Sequence, residues 1–592
     1  MMIHPQLDQL ESAGLVRLAH EQPELEYLFR HNLVQDAAYS SLLRQDRKRL
    51  HLLIGTLLEH QYPNRITESA PVLARHFREA GDDSRALHYY RLAADHAASK
   101  YANAEAASHF ECALEIANRT TVGDGVLVEI YTKYGRVLEL SGRYEEALKR
   151  YEELEQLGQK MNQRPLQLAS LLCRATIYST PTAKFDAQRG EALSQQALAL
   201  ARELADYAAE AKVLWNLQLV YNFTSRYHEA LAAAEASLAI ARRHDLREQM
   251  AYTLNDMYNP LAATGQLDRA CATLDEARAM WRELGNLPML ADNLNSSAER
   301  SYLSGQLDEA YKLAQEGLQV SQRIGNLWGQ SYGLMILSFI YFERAWFSKS
   351  IQTIQDCVRL GEQVGFVVAT ISARAVLSLI YTTLGMLDEG MRTVEQALAV
   401  DTTHFPQGRQ WAQAAQANLL CAQGALHEAE EVLTQAEAGH QDEHLVSPSD
   451  VFLVSLAAAE VALARQDYQR AIESLDRFIA NMRASGIHLF LADALHFKGI
   501  ALLRQGQADQ AREVLLEAEL VAEQRGSVRV QWCILADLSA AELALGHVTE
   551  AKQTRARSLT LIQEIMAHLD QPDVQEAFRK TAYVMSVFNA EW

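Results

Sequence analysis

The 592-residue chain carries 55 basic against 75 acidic residues, a net charge of −20, which argues against nucleic acid or an anionic membrane as partner of its bulk. With 49% hydrophobic residues and only 11 prolines it is folded and helical in character, yet too long for one compact core. No basic-then-apolar signal opens it, and its longest apolar run, Gly333 to Phe342, is half of what a bilayer span needs, so a cytoplasmic chain without membrane contact is expected.

From the N-terminus, Leu7, Leu10 and Leu15 around Gly14 predict a short helix running into a turn. Leu25 to Arg30 alternates as a strand would, and helices are predicted from about residues 32 and 46. The cluster Arg44, Arg47, Lys48 and Arg49 reads as a solvated helix face. Beyond it, Leu73-Ala74-Arg75-His76-Phe77, Ala80-Gly81-Asp82, Ala86, Tyr89, Ala93 and Ala94 fit a helix, a glycine stop and a second helix. His76, amid apolar residues, reads as a packing histidine.

A turn signature, Gly-x-aromatic/Leu-x-x-Ala, then recurs: Gly142…Ala147, Gly265…Ala270 and Gly305…Ala310. Looser copies are Ser225…Ala230, Ala345…Ser350, Gly385…Gly390, Gly424…Ala429, Gln466…Ala471, Gly506…Ala511 and Gly546…Ala551. The last position advances by 40 between 230 and 390, then by 39, 42, 40 and 40, a period that means stacked supersecondary units. Glycine relieves the sharp reversal, the residue two further on plugs the gap between the helices, and the small residue lets them approach. Gly285, Gly325, Gly365, Gly486 and Gly526 fall fifteen residues after the turn's last position and read as C-terminal stops of each second helix. Residues 160–190, with Pro165 and Pro181, and residues 401–409 and 437–450 read as irregular connections.

This pattern resembles the tetratricopeptide repeat, lengthened to a period near 40, over residues 70–560. The resemblance implies an all-α, right-handed solenoid of helical hairpins. The expected division is a winged-helix-like remnant with connecting helices over 1–60, some 12–13 hairpins over 61–565, and a capping segment over 566–592. Contacts between neighbouring repeats alone would make it elongated. Phe29-Arg30-His31, Leu33-Val34, Ala37, Tyr39, Leu42-Leu43, Arg47, Leu50-His51 resembles the junction in STAND-type signalling ATPases, including those joined to class III nucleotide cyclases and LuxR-type regulators. There a winged-helix segment leads into a repeat array. Asp570-Gln571-Pro572-Asp573-Val574 with Ala577-Phe578 resembles that family's close. The sequence has no Gly-x-x-x-x-Gly-Lys-Ser/Thr, so ATP hydrolysis does not carry over.

No constellation reads as an enzyme, and no catalytic residue, cofactor or metal site is expected. His440 and His444 have ligand spacing but no third ligand, and read as solvated. Adjacent acids such as Glu145-Glu146, Glu152-Glu153 and Glu430-Glu431 point about 100° apart on a helix and converge on nothing. The six cysteines stand more than fifty residues apart and read as reduced thiols.

The functional clue is the concave face that the repeat resemblance implies for each first helix. Its positions give Trp215, Asn222 and Phe223, then Tyr252, Asn255 and Asn259. The next two repeats give Asp292, Asn295, Glu299 and Tyr302, then Tyr332, Met335, Phe339 and Phe342. Amides can bond an extended peptide backbone and aromatic faces can take its side chains. Pro260 should kink its helix there. A non-enzymatic scaffold or sensor arm is expected, binding a protein segment or small effector in a groove over 212–343. The alternatives are a fragment of a transcriptional regulator and an accessory subunit of a separately encoded ATPase or adenylate cyclase.

Overall fold

A computed structural model describes residues 4–20, 26–61, 63–400, 406–438 and 448–589. His440 and His444, the 401–405 stretch and most of 437–450 therefore lie outside the described residues. The chain divides into two compact units, residues 1–138 and 139–592.

The first unit opens with helix His4–Ser12, then a two-stranded antiparallel ribbon, Val16–His20 with Glu26–Phe29. Helices Asn32–Ser41 and Arg44–Gln61 follow. The latter buries only Gly55, while Leu53 and Leu57 stand more than half exposed. Helix Ile66–Ala80 stops at Gly81, and Asp82 caps helix Asp83–Ser99 by accepting from the Arg85 amide at 3.1 Å. Leu73, Ala74, Phe77 and Ala86 are buried between them. The two ring Nδ1 atoms of His76 and His51 are 2.9 Å apart, and burial lowers both imidazole pKa values.

In the second unit, hairpins of roughly seventeen-residue helices follow one another with the expected period. The turn works by backbone geometry. Gly305 has φ +76°, its amide donates to Tyr302 O (2.9 Å) and the Gln306 amide to Ser301 O (2.8 Å), a Schellman closure. Ser225, Ala345 and Gln466 make the same turn at φ +60°, +56° and +64° without glycine. Tyr227, Leu307 and Phe347 plug the hairpins, and Ala230, Ala270 and Ala310 are fully buried. Gly285, Gly325, Gly365, Gly486 and Gly526 all take positive φ. The chain folds as a tetratricopeptide-like helical solenoid. Among the described residues no helix is long and apolar enough to cross a membrane, and none of the six cysteines is in a disulfide.

Two expectations need correction. The stretch 160–190 is mostly helix Arg164–Ser179, because Pro165 occupies its first turn, where a missing N–H costs nothing. Nor do repeats touch only their neighbours. Leu303 O accepts from the amides of His488 and Leu489 (2.9 and 3.1 Å), and the Asp570 amide donates to Ser348 Oγ across 222 residues. Arg529, with its side chain 14% exposed, donates to Glu343, 186 residues away, and to Asp493. Repeats about five apart thus pack on one another within this unit, through backbone bonds at Leu303 and ion pairs at Arg529.

Candidate functional site

The site begins with a broken helix. Pro260 offers no N–H to the Asp256 carbonyl and its ring crowds that position, so the helix divides into Arg247–Asp256 and Tyr258–Ala263 with Met257 at the joint. Beside the break lies a cavity of about 60 Å³. Leu219, Asn222 and Phe223 line it from the end of helix Tyr207–Phe223, and Asn255, Asp256, Tyr258 and Asn259 from the broken helix. Ser296 and Glu299 of helix Leu287–Leu303 and Tyr332 of helix Leu327–Glu343 complete it.

Its acids are held by neutral donors. Trp215 Nε1 donates to Asp256 Oδ2 at 2.6 Å, and Tyr332 Oη donates to Glu299. Asn255 Nδ2 donates to Asp292 Oδ2 (2.9 Å) and Asp256 Oδ1 (3.1 Å), while its own oxygen accepts from Asn293 Nδ2 (2.9 Å). Burial pushes the Asp256 carboxyl up to about 6, against the pull of Asn255, Trp215 and Lys212. Burial, joined by the charges of Asp256 and Glu299, pushes Asp292 up to about 7, and burial raises Glu299 as well. Lys212 Nζ lies 3.8 Å from the Trp215 ring centre and 4.3 Å from that of Tyr252, which itself packs on Trp215 and Trp281.

Of the residues expected on the concave face, Asn222, Phe223, Asn255, Asn259, Glu299 and Tyr332 meet around this cavity. Trp215 and Asp292 bond to the lining residues Asp256 and Asn255, and Tyr252 packs on Trp215. The others do not join them. Asn295 is fully buried, donates to Gly329 O (3.0 Å), and wedges so close to Gly317 that a Cβ there would meet its oxygen at 2.4 Å. It is a packing residue, not a groove amide. Tyr302 and Phe342 are also buried, Phe342 under the Arg529 guanidinium at 4.9 Å, and Tyr302 packs on Phe339 (5.8 Å). Met335 is in the core. Asn255 faces the cavity, but its amide is already bonded at both ends, so it orients acids instead of reading a backbone.

The expectation missed Asp256, Tyr258 and Ser296. Asp256 and Ser296 both lie fourteen residues before their turn's last position, a row outside the repeat mapping used. Asp256 ends the helix at the break before Pro260, so the proline was the available signal for it.

A family model for the MalT-like TPR region matches residues 218–531, more than half of the chain and all of this cavity's lining. The chain belongs to the MalT-like TPR family. Two solved structures resemble this MalT-like array at 13% identity. One is a Rap protein complexed with Competence and Sporulation Factor, with TM-score 0.47, covering 61% of this chain and 99% of that one. The other is the APC/C hetero-tetramer Cut9-Hcn1, with TM-score 0.30, covering 84% of this chain and 96% of that one. No curated protein matches the chain.

Proposed function

We propose that this chain is a non-enzymatic, cytoplasmic scaffold or sensor arm that binds an extended protein segment over the cavity between residues 219 and 332. What supports this most is convergence: three helix segments bring an amide not fully used internally (Asn222), an exposed amide (Asn259) and two aromatic rings (Phe223, Tyr332) to one opening. Amides that can both donate and accept suit a peptide backbone, and the rings suit its side chains. Its signalling context would be that of STAND-type ATPases, as the residue 29–51 junction implies, with the ribbon Val16–His20/Glu26–Phe29 as the winged-helix remnant. Residues 1–60, 61–565 and 566–592 would then be remnant, array and cap.

The test is selection of binding segments from a displayed random-peptide library by the full chain, followed by titration of the best peptide. Phe223→Ala with Asn259→Ala should weaken binding about tenfold or more with unchanged melting, since both side chains are at least partly accessible. Unchanged affinity in that double variant would place the site elsewhere.

A further inference from the structure

The chemistry of the cavity names one part of its ligand, on the reading that a segment binds there. Asp256 and Glu299 put two carboxyls on the lining, and Asp292 stands one hydrogen bond behind, through Asn255. Among the described residues, none of the lining residues is Lys, Arg or His. Lys212 and Arg300 flank it, their fields reaching Asp256 and Tyr258, but neither lines it. A second observation is independent of the acids. Asn222 is only 7% exposed, lines the same cavity, and its side-chain oxygen is buried with no hydrogen-bond partner. A buried acceptor left in that state is costly, and a donor entering the cavity relieves it.

We propose that the cavity takes the ammonium or guanidinium head of a basic side chain carried by the bound segment. Its N–H groups donate to Asp256, Glu299 and Asn222 Oδ1, and its charge lies against the rings of Phe223 and Tyr332. The size fits: a cavity of about 60 Å³ has room for a small charged head. Desolvated acids and aromatic faces both attract cations more strongly than water-exposed ones do. The raised carboxyls of Asp256 and Asp292 agree with this, since burial outweighs the pull of Lys212 on Asp256 and no cation offsets Asp292.

The experiment uses the full chain and the best library-selected peptide. Each basic residue of the peptide is replaced in turn by norleucine, which keeps an aliphatic stem and removes the charge. One replacement should cost about tenfold or more in affinity. Against that norleucine peptide, Glu299→Gln and Asp256→Asn should cost little further, although each weakens the parent peptide. Peptides selected without a basic residue, or norleucine swaps that all leave affinity unchanged, would overturn the cation inference while leaving the segment reading intact. Failure of the wild-type chain to select any peptide would overturn both. N-acetyl-lysine amide binding as tightly as the peptide would sustain the cation chemistry and overturn the segment reading. The peptide arm needs no variant of the protein, so poor folding of Asp256→Asn leaves the test decisive.

Discussion

Asp292→Asn should make the helical array less sensitive to alkaline pH. The Asp292 carboxyl is raised from 3.8 to about 7, by burial first and by the charges of Asp256 and Glu299 next. A raised acid binds its proton more tightly folded than unfolded. Its contribution is therefore fully present below about pH 4 and is lost as pH rises through 7. The three-unit rise corresponds to about 4 kcal/mol at pH 8, a ceiling that relaxation and entry of water reduce. Asparagine keeps the shape and still accepts from Asn255 Nδ2, so it mimics the protonated acid at every pH. Asp256, raised to about 6, keeps a residual slope in the variant. Because long arrays need not unfold in two states, hydrogen exchange of helices Arg247–Asp256 and Leu287–Leu303 is the better assay, corrected for intrinsic rates. Between pH 5 and pH 8 the wild type should lose protection in these helices and Asp292→Asn should lose distinctly less. Identical pH dependence in the two proteins, or lower protection of the variant at pH 8, would show that Asp292 does not set this pH sensitivity.

Gly305→Val should lower the melting temperature, with a loss of roughly 2 kcal/mol or more, because φ is +76° and a Cβ would meet Arg525 Cδ at 2.8 Å. Gln466→Gly should instead stabilise the protein by about 1 kcal/mol in denaturant unfolding, since this exposed turn residue now holds φ +64° with a side chain. Arg529→Leu should cost about 3–5 kcal/mol by leaving Glu343 and Asp493 buried without their cation, and should raise exchange in helices Leu327–Glu343 and Val528–Ala544 together. Adding Glu343→Gln and Asp493→Asn to it should recover much of that loss; no recovery would show that packing, not charge, joins these helices.

The repeat was legible in the sequence because its turn is a local backbone event. A left-handed residue, a plug and a small residue are needed at Gly305, Leu307 and Ala310 whatever the rest of the chain does. The helix break was legible for the same reason, through Pro260. Contacts such as Arg529 with Glu343 were not, because nothing in a repeat period encodes which repeats five apart will meet. The site was half legible. The concave face that the repeat resemblance implies included Asn222, Phe223, Asn259, Glu299 and Tyr332, but the resemblance could not show that neighbours cover Asn295, Tyr302 and Phe342. Asp256 escaped because its position, fourteen residues before the turn's last, is not among those the resemblance assigns to the concave face, and Ser296 escaped with it.

Whether a segment binds over the cavity is tested most directly by site-specific crosslinking of a library-selected peptide. A photoreactive benzoylphenylalanine is placed at Phe223, beside the cavity, or at Leu520, which is 50% exposed on helix Ala508–Arg525. Irradiation of the saturated complex should attach the peptide at position 223 and not at 520. Attachment at 520 with none at 223 would contradict a binding site over the cavity.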